Sequence, residues 1–163
     1  MRGVFKIFFL LTFFTLLIAC QQNVTFNQYQ SIEKSQWQNG QVVAFDIPIT
    51  DTISFYNLFI NVRNTNDYEF SNLLLITRMS FPDNKQVIYT LEYEMTNAKG
   101  DFLGSGFSEI KENKLFYKEK IRFTKSGNYL FEVKQSMRKR NEIEGMKFLN
   151  GVSDVGLSIE KVK

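Results

Sequence analysis

Val87-Ile88-Tyr89-Thr90-Leu91-Glu92-Tyr93-Glu94-Met95-Thr96 is the stretch that decides the fold. Its odd positions, Val87, Tyr89, Leu91, Tyr93 and Met95, are apolar or aromatic, while Thr90, Glu92, Glu94 and Thr96 between them are polar. A period of two belongs to a strand, whose successive side chains point to opposite faces, so this run predicts a strand with one face buried and one wet. The pattern returns in Leu115, Tyr117, Ile121 and Phe123 against Lys114, Lys118, Lys120 and Arg122. It returns again in Tyr129, Phe131, Val133 and Met137 against Glu132, Lys134 and Arg138.

Further strands are predicted over Val42 to Ile47, Ile53 to Val62, Phe70 to Met79 and Val155 to Ile159. Ile53 to Val62 and Leu73 to Ile76 are apolar on both faces in part, which places them centrally. Turn residues fall between the runs, at Phe81-Pro82-Asp83-Asn84-Lys85, Asn97-Ala98-Lys99-Gly100-Asp101, Lys125-Ser126-Gly127-Asn128 and Asn150-Gly151. Ser108 to Lys120 is charged enough to suggest a helix, but its apolar residues do not keep a 3.6-residue period. About eight strands at this spacing predict an all-β chain, a single antiparallel β-sandwich. Gly127-Asn128-Tyr129 reads as a corner where a tyrosine closes one end of it.

The N-terminus carries a different signal. Arg2 and Lys6 precede an uncharged run from Ile7 to Ala19, a basic segment followed by a short apolar one, as in an export signal. Thirteen helical residues cover about 20 Å, short of the ~30 Å hydrocarbon core that a spanning helix must cross. Leu17-Ile18-Ala19-Cys20 then matches the bacterial lipobox, which predicts cleavage after Ala19 and a Cys20 thiol alkylated with diacylglycerol, palmitate among its acyl chains. Cys20 is the single cysteine, so lipid leaves no thiol for a disulfide or for catalysis. Residues 21–36 are rich in Gln, Asn and Ser and read as a polar tether. The predicted organisation is a cleaved lipoprotein signal peptide at 1–19, a tether at 20–36 and a β-sandwich domain at 37–163.

Removing residues 1–19 discards two cations and no acid, so 20 basic against 17 acidic residues become 18 against 17. A nearly neutral mature chain has no concentrated basic face for nucleic acid. Its 144 residues suffice for one domain, which at that size buries about 70% of its unfolded surface without a disulfide.

The chain has no histidine, which excludes Ser-His-Asp hydrolysis, His-ligated zinc and an imidazole base. Gly104-Ser105-Gly106 has no following helix to form a phosphate site. Glu92 with Glu94, and Asp51, Asp67 and Asp154, are the acid candidates for a glycosidase pair or a calcium site, but the first two fall on a polar strand face and the others are common turn formers. No catalytic residue, metal ligand or cofactor is singled out, and the chain is read as non-enzymatic.

Twenty aromatics in the mature chain mostly keep phase with the alternation and belong to the core; Trp37 and Tyr68 fall outside it and are the candidates for exposed, sugar-stacking rings. Met137-Arg138-Lys139-Arg140 is the densest basic run, read as a solvated strand end or as a contact for an acidic partner or phosphate.

Several segments together resemble GldH, the gliding-motility lipoprotein family of Bacteroidetes. After the lipobox come Arg63 with Asp67-Tyr68-Glu69-Phe70-Ser71-Asn72-Leu73, then Lys99-Gly100-Asp101-Phe102-Leu103-Gly104-Ser105-Gly106 and Gly127-Asn128-Tyr129. Gln135-Ser136-Met137-Arg138 follows, and the string Gly151-Val152-Ser153-Asp154-Val155-Gly156-Leu157-Ser158-Ile159-Glu160 closes the resemblance. It covers nearly the whole chain, with Phe102 standing where the family more often has Trp. Asp51-Thr52-Ile53 is similar to the short acceptor motif for O-glycosylation of exported proteins in the same bacteria.

The resemblance implies an outer-membrane lipoprotein, on the periplasmic face, supporting gliding and the type IX secretion machinery beside other Gld lipoproteins. It implies a binding or assembly module anchored through Cys20, with Tyr68, Asn72, Met137 and Arg138 contributing to a partner surface. The alternative is a surface glycan-binding lipoprotein.

Overall fold

The computed structural model describes residues 23–106 and 109–162; the signal sequence and Cys20 lie outside them. Among the described residues ten strands follow one another: β1 Val24–Ser31, β2 Gln36–Gln38, β3 Val43–Ile49, β4 Tyr56–Asn64, β5 Asn72–Ser80, β6 Gln86–Glu94, β7 Lys111–Ile121, β8 Gly127–Gln135, β9 Phe148–Asn150 and β10 Val152–Lys161. All pairings are antiparallel. One four-stranded sheet has the order β1-β10-β4-β7, the other β3-β8-β5-β6, and β2-β9 form a short ribbon. The expected β-sandwich is therefore present.

The alternation fills the space between the sheets. Leu58, Ile60 and Val62 of β4 and Val155, Leu157 and Ile159 of β10 meet Phe45, Leu73, Leu75, Phe131 and Val133 from the facing sheet. Tyr117 of β7 reaches Phe131 of β8 edge to face, with ring centroids 5.1 Å apart. Side chains also stitch the sheet edges: the Tyr93 hydroxyl donates to the Phe116 carbonyl at 2.8 Å, and on the opposite side the Gln30 amide donates to the Ala44 carbonyl. Tyr129 does close a corner, its hydroxyl donating to the Lys125 carbonyl at 2.9 Å and its ring lying 5.0 Å from Phe123.

β4 and β5 are inner strands, as their two-sided apolar character predicts. Of the charged stretch 108–120, residues 111–120 lie in β7, and Ser108 falls outside the described residues.

Three expectations need correction. The predicted tether at 20–36 is sheet over Val24–Ser31, because β1 pairs with β10 from Val24↔Glu160 to Ser31↔Asp154, and residues 20–22 lie outside the described residues. Its polar composition misleads because β1 is an edge strand: backbone pairing holds it, and its inner face carries only Phe26 among apolar residues against Gln28 and Gln30. The domain consequently includes β1 and does not start at Trp37. Second, β4 begins at Tyr56 and not Ile53, because the Asp51 carboxylate accepts from the Ile53 and Ser54 amides at 2.9 and 3.0 Å and commits that backbone to a turn. Third, the run that announced the fold is itself an edge strand, in which Val87 and Tyr89 remain exposed and burial is complete only at Met95.

Gly151 turns β9 into β10 at φ +82°, and a Cβ there would stand 2.3 Å from the Tyr68 nitrogen. Gly151→Ala is expected to destabilise the domain by about 2 kcal/mol or more, through left-handed strain and a clash with backbone that cannot rotate away. A thermal melt checks this, with a fall of several degrees in Tm expected.

The loop ends predict an acid sensitivity. Hydrogen bonds from the Ser54 hydroxyl and from the Ser54 and Ile53 amides hold the Asp51 carboxyl well below the usual carboxylate range, and Lys125 lowers that of Asp83. Carboxyls with a folded pKa below the unfolded value contribute stability that is present above about pH 4 and lost as pH falls further. Urea midpoints are expected to fall between pH 6 and pH 3, and by less in Asp51→Asn.

Candidate functional site

The four residues expected on a partner surface cluster at one end of the sandwich, but two of them are interior. Tyr68 is buried, its hydroxyl donating to the Asn72 carbonyl at 2.7 Å and its ring 6.0 Å from Phe70. Burial pushes its phenol well above the ordinary value. Met137 is also buried: its sulfur accepts from the Leu74 amide at 3.1 Å, its own amide donates to Gln135 Oε1 at 2.8 Å, and its carbonyl accepts from Met146. These two order the chain as it leaves β8 and enters β5. Asn72 is half-buried and donates to Glu92 at 2.6 Å, and Arg138 is exposed.

Trp37, the other candidate for an exposed ring, is 0% exposed, with its indole N–H donating to the Gln41 carbonyl at 3.1 Å. It is itself part of the β2-β9 ribbon, where it pairs with Leu149, which is also 0% exposed. The acid candidates are dispersed: Asp154 accepts from Ser31, Asp51 from Ser54, and Asp67 lies on the turn before Tyr68.

What the sequence reading missed is the outer face of the β1-β10-β4-β7 sheet. Register aligns Tyr29, Gly156, Asn61 and Lys114 in one row across the four strands, and Ser31, Asp154, Arg63 and Glu112 in the next. At Gly156 a Cβ would lie 2.7 Å from Tyr29 Cδ1 and 2.8 Å from the Gln28 carbonyl oxygen, so the absence of a side chain lets the Tyr29 ring lie against β10. The ring meets the Arg63 guanidinium 4.2 Å from its centroid.

Both residues then converge on one carboxylate: Tyr29 donates its hydroxyl to Glu112 Oε1 at 2.8 Å, and Arg63 Nε donates to Glu112 Oε2 at 3.0 Å. Ser105 fixes the carrier of that carboxylate by exchanging two backbone hydrogen bonds with Glu112, at 2.8 and 2.9 Å. Partial burial and the adjacent Glu112 push the Tyr29 phenol up to about 12. It therefore remains a hydrogen-bond donor at neutral pH, not a base.

Beside this clasp lies a polar groove of about 580 Å³, lined among others by Asn27, Asn57, Asn61, Lys114, Ser158 and Glu160. Asn61 donates to the Ser158 hydroxyl at 3.0 Å, and Lys114 pairs with Glu160 at 2.6 Å while lying 4.2 Å from the Phe59 ring centroid. The chemistry on offer is amide and hydroxyl hydrogen bonding framed by paired charges. One signal in the sequence pointed here: Asn57, Asn61 and Arg63 fall between the apolar residues Leu58, Ile60 and Val62 of a central strand, and Gly156 and Ser158 alternate with core residues in Val155-Gly156-Leu157-Ser158-Ile159.

Residues 24–159 match the family model described as GldH lipoprotein. The chain belongs to the GldH lipoprotein family. The match starts at the first residue of β1, so the strand that reads as linker lies within the GldH unit. A gliding motility lipoprotein GldH homolog of Christiangramia forsetii is 42% identical over 161 residues, covering 99% of this chain and 98% of that protein. The gliding motility lipoprotein GldH of Flavobacterium johnsoniae is 42% identical over 146 residues, 90% of each chain. Among solved structures, the infectious bursal disease virus VP2 subviral particle aligns over 85% of this chain and 33% of its own at 15% identity and a TM-score of 0.35, too loose a superposition to carry an argument. Arg63, Ser105 and Gly156, which build or hold the clasp, all fall in the segments that resemble GldH.

Substitutions separate the parts of the clasp. Gly156→Ala is expected to destabilise the GldH domain by about 1–3 kcal/mol, because the new methyl displaces both a ring and a backbone carbonyl. Tyr29→Phe keeps the packing and is expected to lose about 0.5–1.5 kcal/mol with its hydrogen bond. Denaturant titration distinguishes them; an unchanged midpoint in Gly156→Ala would contradict the assigned close approach.

Proposed function

We propose that this GldH protein is a lipid-anchored, non-catalytic assembly component of the gliding-motility apparatus and of the type IX secretion machinery that accompanies it. It sits at the outer membrane on the periplasmic face, and its contact surface is the outer face of the β1-β10-β4-β7 sheet. The observation that carries this reading is the Tyr29–Arg63–Glu112 clasp: three interacting groups from three strands, joined across a glycine, on a face that also bears an open polar groove. An interior ordered to that degree is common, but a polar surface preorganised across a whole sheet suits binding, because its side chains lose little further freedom when a partner docks.

Further observations support the reading. Glu112 receives both Tyr29 and Arg63, so its carboxylate is held as an acceptor, and Lys114 and Glu160 neutralise one another. The names of the C. forsetii and F. johnsoniae relatives supply the motility assignment. Leu17-Ile18-Ala19-Cys20 supplies the anchor, and other Gld lipoproteins and type IX components are the partners in this reading.

A strain lacking this gene is expected to stop spreading and to retain type IX cargo, with both restored by the full-length gene. Complementation with Glu112→Lys, which sets a cation against Arg63, is expected to leave an exported, folded protein that no longer copurifies with other Gld lipoproteins. A deletion strain that spreads and secretes normally overturns the assignment; normal copurification of the Glu112→Lys protein overturns the choice of face.

A further inference from the structure

The pairing of β1 places the fold much nearer to Cys20 than a tether would. Asn23, whose carbonyl accepts from the Lys161 amide at 2.8 Å, is already part of the domain, and only Gln21 and Gln22 separate it from Cys20. Three residue steps span at most about 10 Å even when fully extended. Whatever holds Cys20 therefore lies within about 10 Å of one end of the sandwich.

That end is where β1 starts, β10 finishes, and the loops 50–55, 81–85 and 122–126 join their strands. Its surface is unlike a solvated loop cluster. Ile53 is 81% exposed and Phe55 51% exposed on the loop that Asp51 rigidifies. Phe55 receives the Val162 amide at 2.8 Å, and Phe55, Val162, Lys120 and Lys161 surround a largely apolar recess of about 390 Å³. Lys85, Lys120, Arg122 and Lys125 add positive charge around it, while the two loop aspartates are already engaged, Asp51 by Lys161 and Asp83 by Lys125 and Lys85. Glu119, near the end of β7, is a further acid close to these loops.

We propose that this end docks on the bilayer surface, with Ile53 and Phe55 entering the headgroup region and the surrounding cations against lipid phosphates. Exposed apolar side chains beside cations suit an interface that is apolar beneath and anionic above. The proposal rests on lipidation of Cys20, and the shortness of the link selects a lipid surface over a protein partner at this end. Docking gives the domain one orientation: the opposite end, with Trp37 and the 138–147 loop, points away from the membrane. The groove then opens sideways, toward neighbours on the same membrane.

The test uses the full lipidated chain in vesicles of phosphatidylethanolamine and phosphatidylglycerol carrying brominated acyl chains. Intact mass first reports the acyl groups on Cys20. Tryptophan is then placed near the anchor by Phe55→Trp, or far from it by Ile143→Trp, at a side chain 90% exposed on the opposite end. The unsubstituted protein, with Trp37 buried, supplies the baseline. Bromine is expected to quench the Phe55→Trp emission several-fold more than the Ile143→Trp emission, and the former is expected to shift to the blue. Equal quenching in acylated protein overturns the docking while leaving the anchor intact; a mass without acyl groups overturns the anchor and the docking with it.

Discussion

β10 bears on more of this molecule than any other strand. Inward, Val155, Leu157 and Ile159 fill the core; outward, Gly156 and Ser158 leave room above the sheet; and its two edges hold β1 and β4. These three roles are compatible only because a strand sends alternate side chains to opposite faces, so that large residues inside and small ones outside do not compete. A larger residue at 156 would meet the Gln28 carbonyl as well as the Tyr29 ring, disturbing the pairing and the outer face together.

From that pairing follow both the anchor geometry and the candidate site. With β1 held along β10, the polar segment from Val24 to Ser31 is sheet, and in the proposed lipid-anchored reading the distance between lipid and domain shrinks from the reach of a flexible linker to a few peptide units. The same strand delivers Tyr29 to the face where Arg63 and Glu112 meet. In the proposed reading, attachment and recognition are thus coupled through one edge strand.

The signature segments divide between support and surface. Tyr68 and Met137 belong to the support: the phenol reaches the Asn72 carbonyl, and the thioether takes the Leu74 amide, satisfying backbone groups where strands begin and end. Ser105 is intermediate, since its backbone carries Glu112 in place while its neighbour Gly104 backs onto the Asn113 side chain. Arg63 and Gly156 belong to the surface. A motif read along the chain does not distinguish these roles, because each depends on the face and the neighbour that sheet register assigns.

The sequence by itself determined the antiparallel β class and most of the long strands, the central places of β4 and β5, the tyrosine corner at Tyr129 and the family, since these follow from alternation, turn chemistry and local motif, all of which are written in neighbouring residues. It also held the lipobox. Only the tertiary structure decided that the Gln- and Asn-rich segment after Cys20 is a strand, that Trp37 and Tyr68 are interior, and that Tyr29, Arg63, Glu112 and Gly156 share one face. The physical reason is that an edge strand is held largely by backbone hydrogen bonds, which leave no mark in side-chain polarity. The clasp, in turn, is made by residues up to 127 positions apart, from Tyr29 to Gly156, whose meeting depends on which strand lies beside which.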